Sequence, residues 1–247
     1  MAISTGDMEL TKSLPEFKYM SFDVVGTLID FEGGLTTCLQ AIAAEASVTI
    51  DSEEALSLYR AARYSEKADL FPDDLVRVYL AIAPKLGLPG EEANGIRLKE
   101  SAKAWKAFPD SAAAMAELAK NYRLIAMTNA RLWAFDYFSA ALGNPFYAAF
   151  TADDTGTEKP NPAFFRQVFD FVAKDGGDKT DVLHVAQSQY HDIGVSRELG
   201  MTNCWIERRH AQKGYGGTIE PAQFTKPDYH FTSMAGLAEA VRTARGN

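Results

Sequence analysis

Asp23, Lys159 and Asp192 are the residues of this chain whose types and settings suit nucleophilic chemistry. Asp23 ends the apolar run that begins at Tyr19, and Gly26-Thr27 follow it. The run reads as a buried parallel strand, and the Gly-Thr step as the turn at its carboxyl end. Ligands bind at that end of an open α/β sheet. A carboxylate there attacks an electrophilic carbon or phosphorus as an ester-forming nucleophile, which splits one displacement into two steps. Lys159, in Glu158-Lys-Pro-Asn-Pro162, is the cation that would keep such a carboxylate ionised. Asp192 ends Gln187-Ser-Gln-Tyr-His-Asp192 and would orient the water that cleaves the ester, or support Lys159. Each has a plainer alternative: a capping aspartate, a surface lysine before a proline turn, and an acidic charge complementing a helix dipole.

Elements that position these residues are legible from periodicity. Apolar runs at 123–128, 182–186 and 203–207, with shorter ones at 150–154 and 229–231, read as strands. Helical patterns over 111–121, 131–142, 162–172, 191–199 and 233–244 alternate with them. That alternation predicts a Rossmann-like, doubly wound parallel α/β sheet. Between the first strand and residue 107 there is no strand signal. Phe31-Glu-Gly-Gly34 reads as a loop and hinge, and four helices follow. The first carries Leu35, Leu39, Ile42 and Ala46 at helical spacing, and the second Leu56, Tyr59 and Arg63. The third starts at Asp73 or Asp74 with Val76, Tyr79, Leu80 and Ala83 inward, and the fourth spans 91–107. The organisation expected is a core of residues 16–33 plus 107–247 and an inserted helical cap of 34–106.

The segment Asp23-Val-Val-Gly-Thr-Leu28, then Thr128-Asn129 at the end of Leu124–Met127, then Lys159, then Asp192, fall in the order of the four motifs of the haloacid dehalogenase (HAD) superfamily. The chain resembles that superfamily over most of its length. It looks most similar to the type II 2-haloacid dehalogenases and the L-azetidine-2-carboxylate hydrolases, an impression that Trp205–Thr218 strengthens. The resemblance implies catalytic roles for Asp23, Lys159 and Asp192, and a cap closing over the site to exclude water. It also implies that Thr27, Thr128, Asn129 and Gln189 line the substrate or its leaving group, together with a cap arginine. Arg60 and Arg63 both lie in a suitable stretch, and Arg60 is favoured by its place beside Tyr59. His191 is a proton donor for a leaving amine or a flanking residue.

Two departures matter. Phosphatases of the superfamily place a second aspartate two residues after the nucleophile, to protonate the leaving alcohol; here Val25 stands there, and Gln187 replaces an acidic residue in the fourth motif. Magnesium wants carboxylate oxygens, so the expectation is a metal-independent enzyme without cofactor that displaces a leaving group at carbon. Dehalogenases of this look usually carry tyrosine at the Val25 position, which bears on substrate size. The expected activity is hydrolysis of a small 2-substituted carboxylate by a 2-haloacid dehalogenase-like enzyme. Azetidine-2-carboxylate ring opening, a HAD phosphatase and a non-catalytic binding protein are the alternatives.

Composition agrees with a soluble enzyme. The chain has 247 residues, 47% of them hydrophobic, with a net charge of −8 and both signs interspersed. No basic block suggests nucleic acid. No run of 18 apolar residues and no secretory leader is legible. Cys38 and Cys204 sit far apart in apolar surroundings and read as reduced core residues of a cytoplasmic protein. Arg208-Arg209 and the three tryptophans read as structural. Residues 1–15 read as a loose tail. The family often forms homodimers, although no surface pattern here demands one.

Overall fold

A computed structural model describes residues 12–65 and 68–246. Its centre is a six-stranded, wholly parallel sheet: β1 Tyr19–Phe22, β2 Arg123–Met127, β3 Ala148–Phe150, β4 Val182–Ala186, β5 Thr202–Ile206 and β6 Tyr229–Phe231, ordered β3-β2-β1-β4-β5-β6. The chain winds outward through β2 and β3, then returns to β4 on the other side of β1. The winding therefore reverses between β1 and β4, and a crevice opens beyond their carboxyl ends.

Both faces of the sheet are covered, so the strands are mostly apolar and successive side chains serve opposite layers. Tyr19, Ile125, Met127 and Val182 pack under helix Pro162–Lys174, with Phe164, Phe165, Val168 and Val172. Met20, Phe22, Leu124, Leu183 and Cys204 join the larger core on the opposite face, with Met115, Leu118, Leu237 and Val241 of helices Ser111–Leu118 and Met234–Ala244. Both cysteines are buried free thiols. No described helix is long and apolar enough to cross a membrane.

The inserted helical cap comprises α1 Phe31–Glu45, α2 Ser52–Arg63, α3 Leu75–Leu86 and α4 Glu92–Ser101. Its two connections to the core run side by side as an antiparallel bridge at Ile29 and Ala107. The Asp30 amide donates to the Lys106 carbonyl, and the Phe108 amide to the Leu28 carbonyl (2.8 and 3.0 Å).

Several local expectations need correction. Phe31–Gly34 is the first turn of α1, capped by the Asp30 carboxylate on the Gly33 amide, and not a loop. The glycine pair is there for packing: a Cβ on Gly34 would lie 2.2 Å from Cδ1 of Trp105. Trp105 is itself buried and stacked on Phe138, so it has nowhere to move. Gly34→Ala is accordingly expected to cost about 1–3 kcal/mol by overpacking, read as a lowered urea midpoint at unchanged slope. In α3 the buried face is Leu75, Val78, Tyr79, Ile82 and Ala83, whereas Leu80 is exposed. The helix starts after Asp74, one of the two starts expected. The strand expected from Phe150 lies earlier, at Ala148–Phe150, because Thr151 caps a short helix Ala152–Thr155. The proposed tail lies outside the described residues as far as residue 11. From Lys12 the chain is docked, with the Lys12 ammonium 3.1 Å from Asp181 and Leu14 buried.

Candidate active site

Asp23 leaves β1 at its carboxyl end, with its amide still paired to the Val185 carbonyl of β4 (3.1 Å). Gly26, at φ +92°, turns the chain there without strain. That turn brings Thr27 back onto Asp23: its hydroxyl donates to Oδ2 at 2.6 Å and accepts the Gln187 amide at 2.8 Å. Thr27 thus holds the Asp23 carboxylate and is not among the residues that line the cavity.

Lys159 is almost wholly buried, and its ammonium bridges two carboxylates, Asp23 Oδ1 at 3.0 Å and Asp192 Oδ1 at 2.6 Å. Asn129 holds the lysine from behind: its Nδ2 donates to the Lys159 carbonyl (2.9 Å) and its Oδ1 accepts the Lys159 amide (2.7 Å). Thr128 is buried beside it, and its hydroxyl oxygen accepts the Ala130 amide at 3.1 Å. Neither caps the next helix, which begins after Arg131. Asp192 sits in a single π-helical turn, Gln189–Ile193, leading into helix Gly194–Glu198. Such turns recur at functional sites because they set one side chain out of α-helical phase.

The charges are arranged by opposing effects. Burial pushes the Asp23 carboxyl above its usual range, and Lys159 and Thr27 pull against that shift. Burial would raise Asp192 too, but Lys159 and His184 outweigh it and hold Asp192 down to about 2. Burial also works against the charge on Lys159, and the two carboxylates more than offset it, so the ammonium is held above its ordinary value. The three groups titrate as one unit. One oxygen, Asp192 Oδ2, is buried without a hydrogen-bond partner.

These groups open onto a cavity of about 520 Å³ between the strand ends and the cap. Its walls include Val25, Phe31, Tyr59, Arg63, Thr128 and His191. Of the two cap arginines, the one on the wall is Arg63. It is buried and donates to Glu158 Oε1 at 2.9 Å, with Asp74 at 3.6 Å. The preference for Arg60 is corrected: Arg60 turns away and donates to the Gly216 carbonyl. Residues three apart lie on the same side of a helix, so only the partners that the fold brings to each select between them. Gln189 is likewise off the cavity, with its Oε1 accepting the Thr225 amide at 3.0 Å. His191 does line the wall, but burial pushes its imidazole down to about 4, so it is neutral at pH 7. Arg208 is structural, with Nη1 on both oxygens of Asp110 (2.8 and 3.0 Å).

Sequence reading passed over His184, which looks like one more member of the run Val182–Ala186. Its Nε2 is 3.1 Å from Asp192 Oδ1 and its Nδ1 is 2.9 Å from the Ser21 hydroxyl. The only signal was a histidine inside an otherwise apolar strand.

A family model for haloacid dehalogenase-like hydrolases matches residues 17–193. No curated protein matches the sequence. Among solved structures, the fold is similar to that of an L-2-haloacid dehalogenase, with TM-score 0.72 and 23% identity over 94% of this chain and 100% of that one. It is similar to the L-2-haloacid dehalogenase from Xanthobacter autotrophicus, with TM-score 0.69 and 20% identity over 92% and 98% of the two chains. A magnesium-bound HAD-hydrolase, YfnB, from Bacillus subtilis is also similar, with TM-score 0.74 and 16% identity over 92% and 99%.

Proposed function

The chain belongs to the haloacid dehalogenase-like hydrolases, and we propose that it displaces a leaving group from carbon in a small 2-substituted carboxylic acid, in the manner of a 2-haloacid dehalogenase. One observation carries the reading: the cavity wall presents Val25 two residues after Asp23, at the position from which a superfamily phosphatase protonates its leaving group. Val25 has no proton to give. His191 is already neutral. Burial pushes the phenols of Tyr59 and Tyr64 upward. Lys159 is held charged between its carboxylates, and Glu158, although burial pushes its carboxyl upward, is tied to the Arg63 guanidinium at 2.9 Å. An alkoxide leaving group needs such an acid. A halide departs with its bonding electrons and needs none.

In the first step an Asp23 oxygen attacks C2, the carbon–halogen bond breaks, halide leaves and C2 inverts. Arg63 supplies the guanidinium for the substrate carboxylate, which it matches in charge and planar geometry. In the second step water attacks Cγ of the ester and passes a proton to Asp192. The bond from Cγ to the substrate oxygen breaks, and the departing alkoxide takes that proton to become the 2-hydroxy acid. The regenerated Asp23 carboxyl releases the remaining proton to solvent, so each turnover yields one halide and one proton.

Magnesium, which the wider family uses, does not suit these residues. Among the described residues no three Asp, Glu, His or Cys side chains gather as ligands. The position between Asp23 and Asp192 is taken by the Lys159 ammonium. No step is therefore routed through a metal.

The test is a hydrolysis panel in excess chelator: chloroacetate, L- and D-2-chloropropionate, fluoroacetate, L-azetidine-2-carboxylate and an aryl phosphate. Halide release from one 2-chloropropionate enantiomer, unchanged by chelator, is the expected result. Ring-opened product alone would replace halide with an amine leaving group. Silence until magnesium is added, followed by phosphate release, would overturn the proposal.

A further inference from the structure

Beneath the catalytic triplet, two buried polar side chains lie where the sheet otherwise presents apolar groups to helix Pro162–Lys174. Ser21 of β1 and His184 of β4 are direct neighbours in the strand register. Both are fully buried. Around them on that face are Tyr19, Ile125, Val182 and Phe165, the last edge-on to the imidazole at 5.5 Å between centroids. A hydroxyl and an imidazole at such positions cost stability unless both are satisfied, and an apolar pair of the same shape would be the cheaper core.

We propose that His184, with its tautomer set by Ser21, is a positioning residue that fixes the Asp192 carboxylate for the second half-reaction, ester hydrolysis. This inference rests on the ester mechanism proposed above. The ionised Asp192 only accepts hydrogen bonds, so His184 Nε2 carries the proton in the 3.1 Å contact with Asp192 Oδ1. With Nε2 as the donor, Nδ1 serves as the acceptor, and the Ser21 hydroxyl donates to it at 2.9 Å. Oδ1 of Asp192 thereby receives two donors, His184 Nε2 from below and the Lys159 ammonium at 2.6 Å. Two donors on one oxygen fix the rotation of the carboxylate and leave Oδ2 as its free acceptor. Oδ2 is the buried oxygen without a partner, which leaves it as the acceptor Asp192 can offer to a water entering from the cavity it lines. Without His184 the carboxylate is held through Lys159 alone, which Asp23 also claims. The first half-reaction needs Asp23 and Lys159, so it survives. The second needs a water aimed at Cγ, so it slows.

That asymmetry separates a positioning role from a merely structural one. The experiment is rapid-quench kinetics with the halogenated acid that the parent turns over, on the parent, His184→Phe, His184→Gln and Ser21→Ala, with intact-protein mass spectrometry at each time. His184→Phe should give a halide burst of one per active site at near-parental rate, then a steady state slowed about 10- to 100-fold, the worth of one hydrogen bond to a charged group. The Asp23 adduct should accumulate. His184→Gln, which keeps a side-chain donor, should recover much of the slow step, and Ser21→Ala should show the same split more weakly. Independently of activity, imidazole ¹⁵N shifts in the parent should report the Nε2–H tautomer. If His184→Phe slows both phases equally without adduct, or the ring is the Nδ1–H tautomer, the inference is overturned. Should His184→Phe not fold, the same readings on His184→Gln and Ser21→Ala decide it: both at parental rates in both phases also overturn it. A parent that releases no halide from any acid, or never forms an adduct, takes the ester mechanism down first and this inference with it.

Discussion

Asp23→Asn abolishes halide release, by about 10⁴-fold or more, while leaving the protein folded. The substitution is isosteric, and the amide oxygen can still accept the Lys159 ammonium, which stands 3.0 Å from Oδ1 in the parent. What disappears is the proposed nucleophile. No other described group replaces it: Asp192 is wholly buried, and its Oδ1 is held by both Lys159 and His184. A companion experiment locates the bond that forms. In a single turnover with enzyme in excess in H₂¹⁸O, the water oxygen enters Cγ of Asp23, and the first 2-hydroxy acid carries the old carboxylate oxygen. Heavy label should therefore appear in the peptide containing Asp23 and be missing from the first product. Label in that product, with unlabelled Asp23, would mean that water attacks C2 directly. The same result would recast Asp23 as a base.

The residues of this experiment were legible in the sequence, and for a shared reason. Asp23 and Asp192, like Thr128 and Asn129, follow apolar runs, and the end of a parallel strand converts sequence position into location. The doubly wound parallel sheet and the helical insertion followed from the same punctuation. What stayed hidden depended on contacts between distant segments. Arg60 and Arg63 are indistinguishable on one helix until Glu158 and Asp74 come to meet Arg63. Gly33-Gly34 resembled a hinge because glycine usually marks flexibility. The cause lay about seventy residues away in Trp105, whose ring occupies the space of a Cβ. Asn129 was expected beside the ligand and does line the cavity, but that both ends of its amide also hold the Lys159 backbone was not legible. His184 was read as part of a strand, and only strand pairing sets it beside Ser21 and under Asp192.

Lys159→Met carries the second large effect, and its consequences for activity and stability pull apart. The ammonium is the shared counter-charge of two buried carboxylates, at 3.0 and 2.6 Å. Methionine keeps much of the volume and removes the charge, leaving Asp23 and Asp192 facing each other in a buried site. Removing one partner of a buried ion pair costs about 3–5 kcal/mol, and a lowered urea midpoint at pH 7 should report it. The Asp23 carboxyl already lies above its usual range through burial, and Lys159 is the largest influence holding it down. Without the lysine its ionised form is less favourable, so the acid limb of the pH–rate profile moves to higher pH. Halide release at pH 7 should fall about 10³-fold or more, since both ionisation and orientation of the nucleophile are lost. Part of the lost stability should return on mild acidification, because a carboxylate freed of its cation neutralises itself by taking up a proton. Adding Asp192→Asn should likewise restore stability, by removing the like charge, without restoring turnover. A Lys159→Met protein within tenfold of the parent at pH 7, with its acid limb unmoved, would show that the ammonium only fills space between the carboxylates and that Asp23 is ionised by other means.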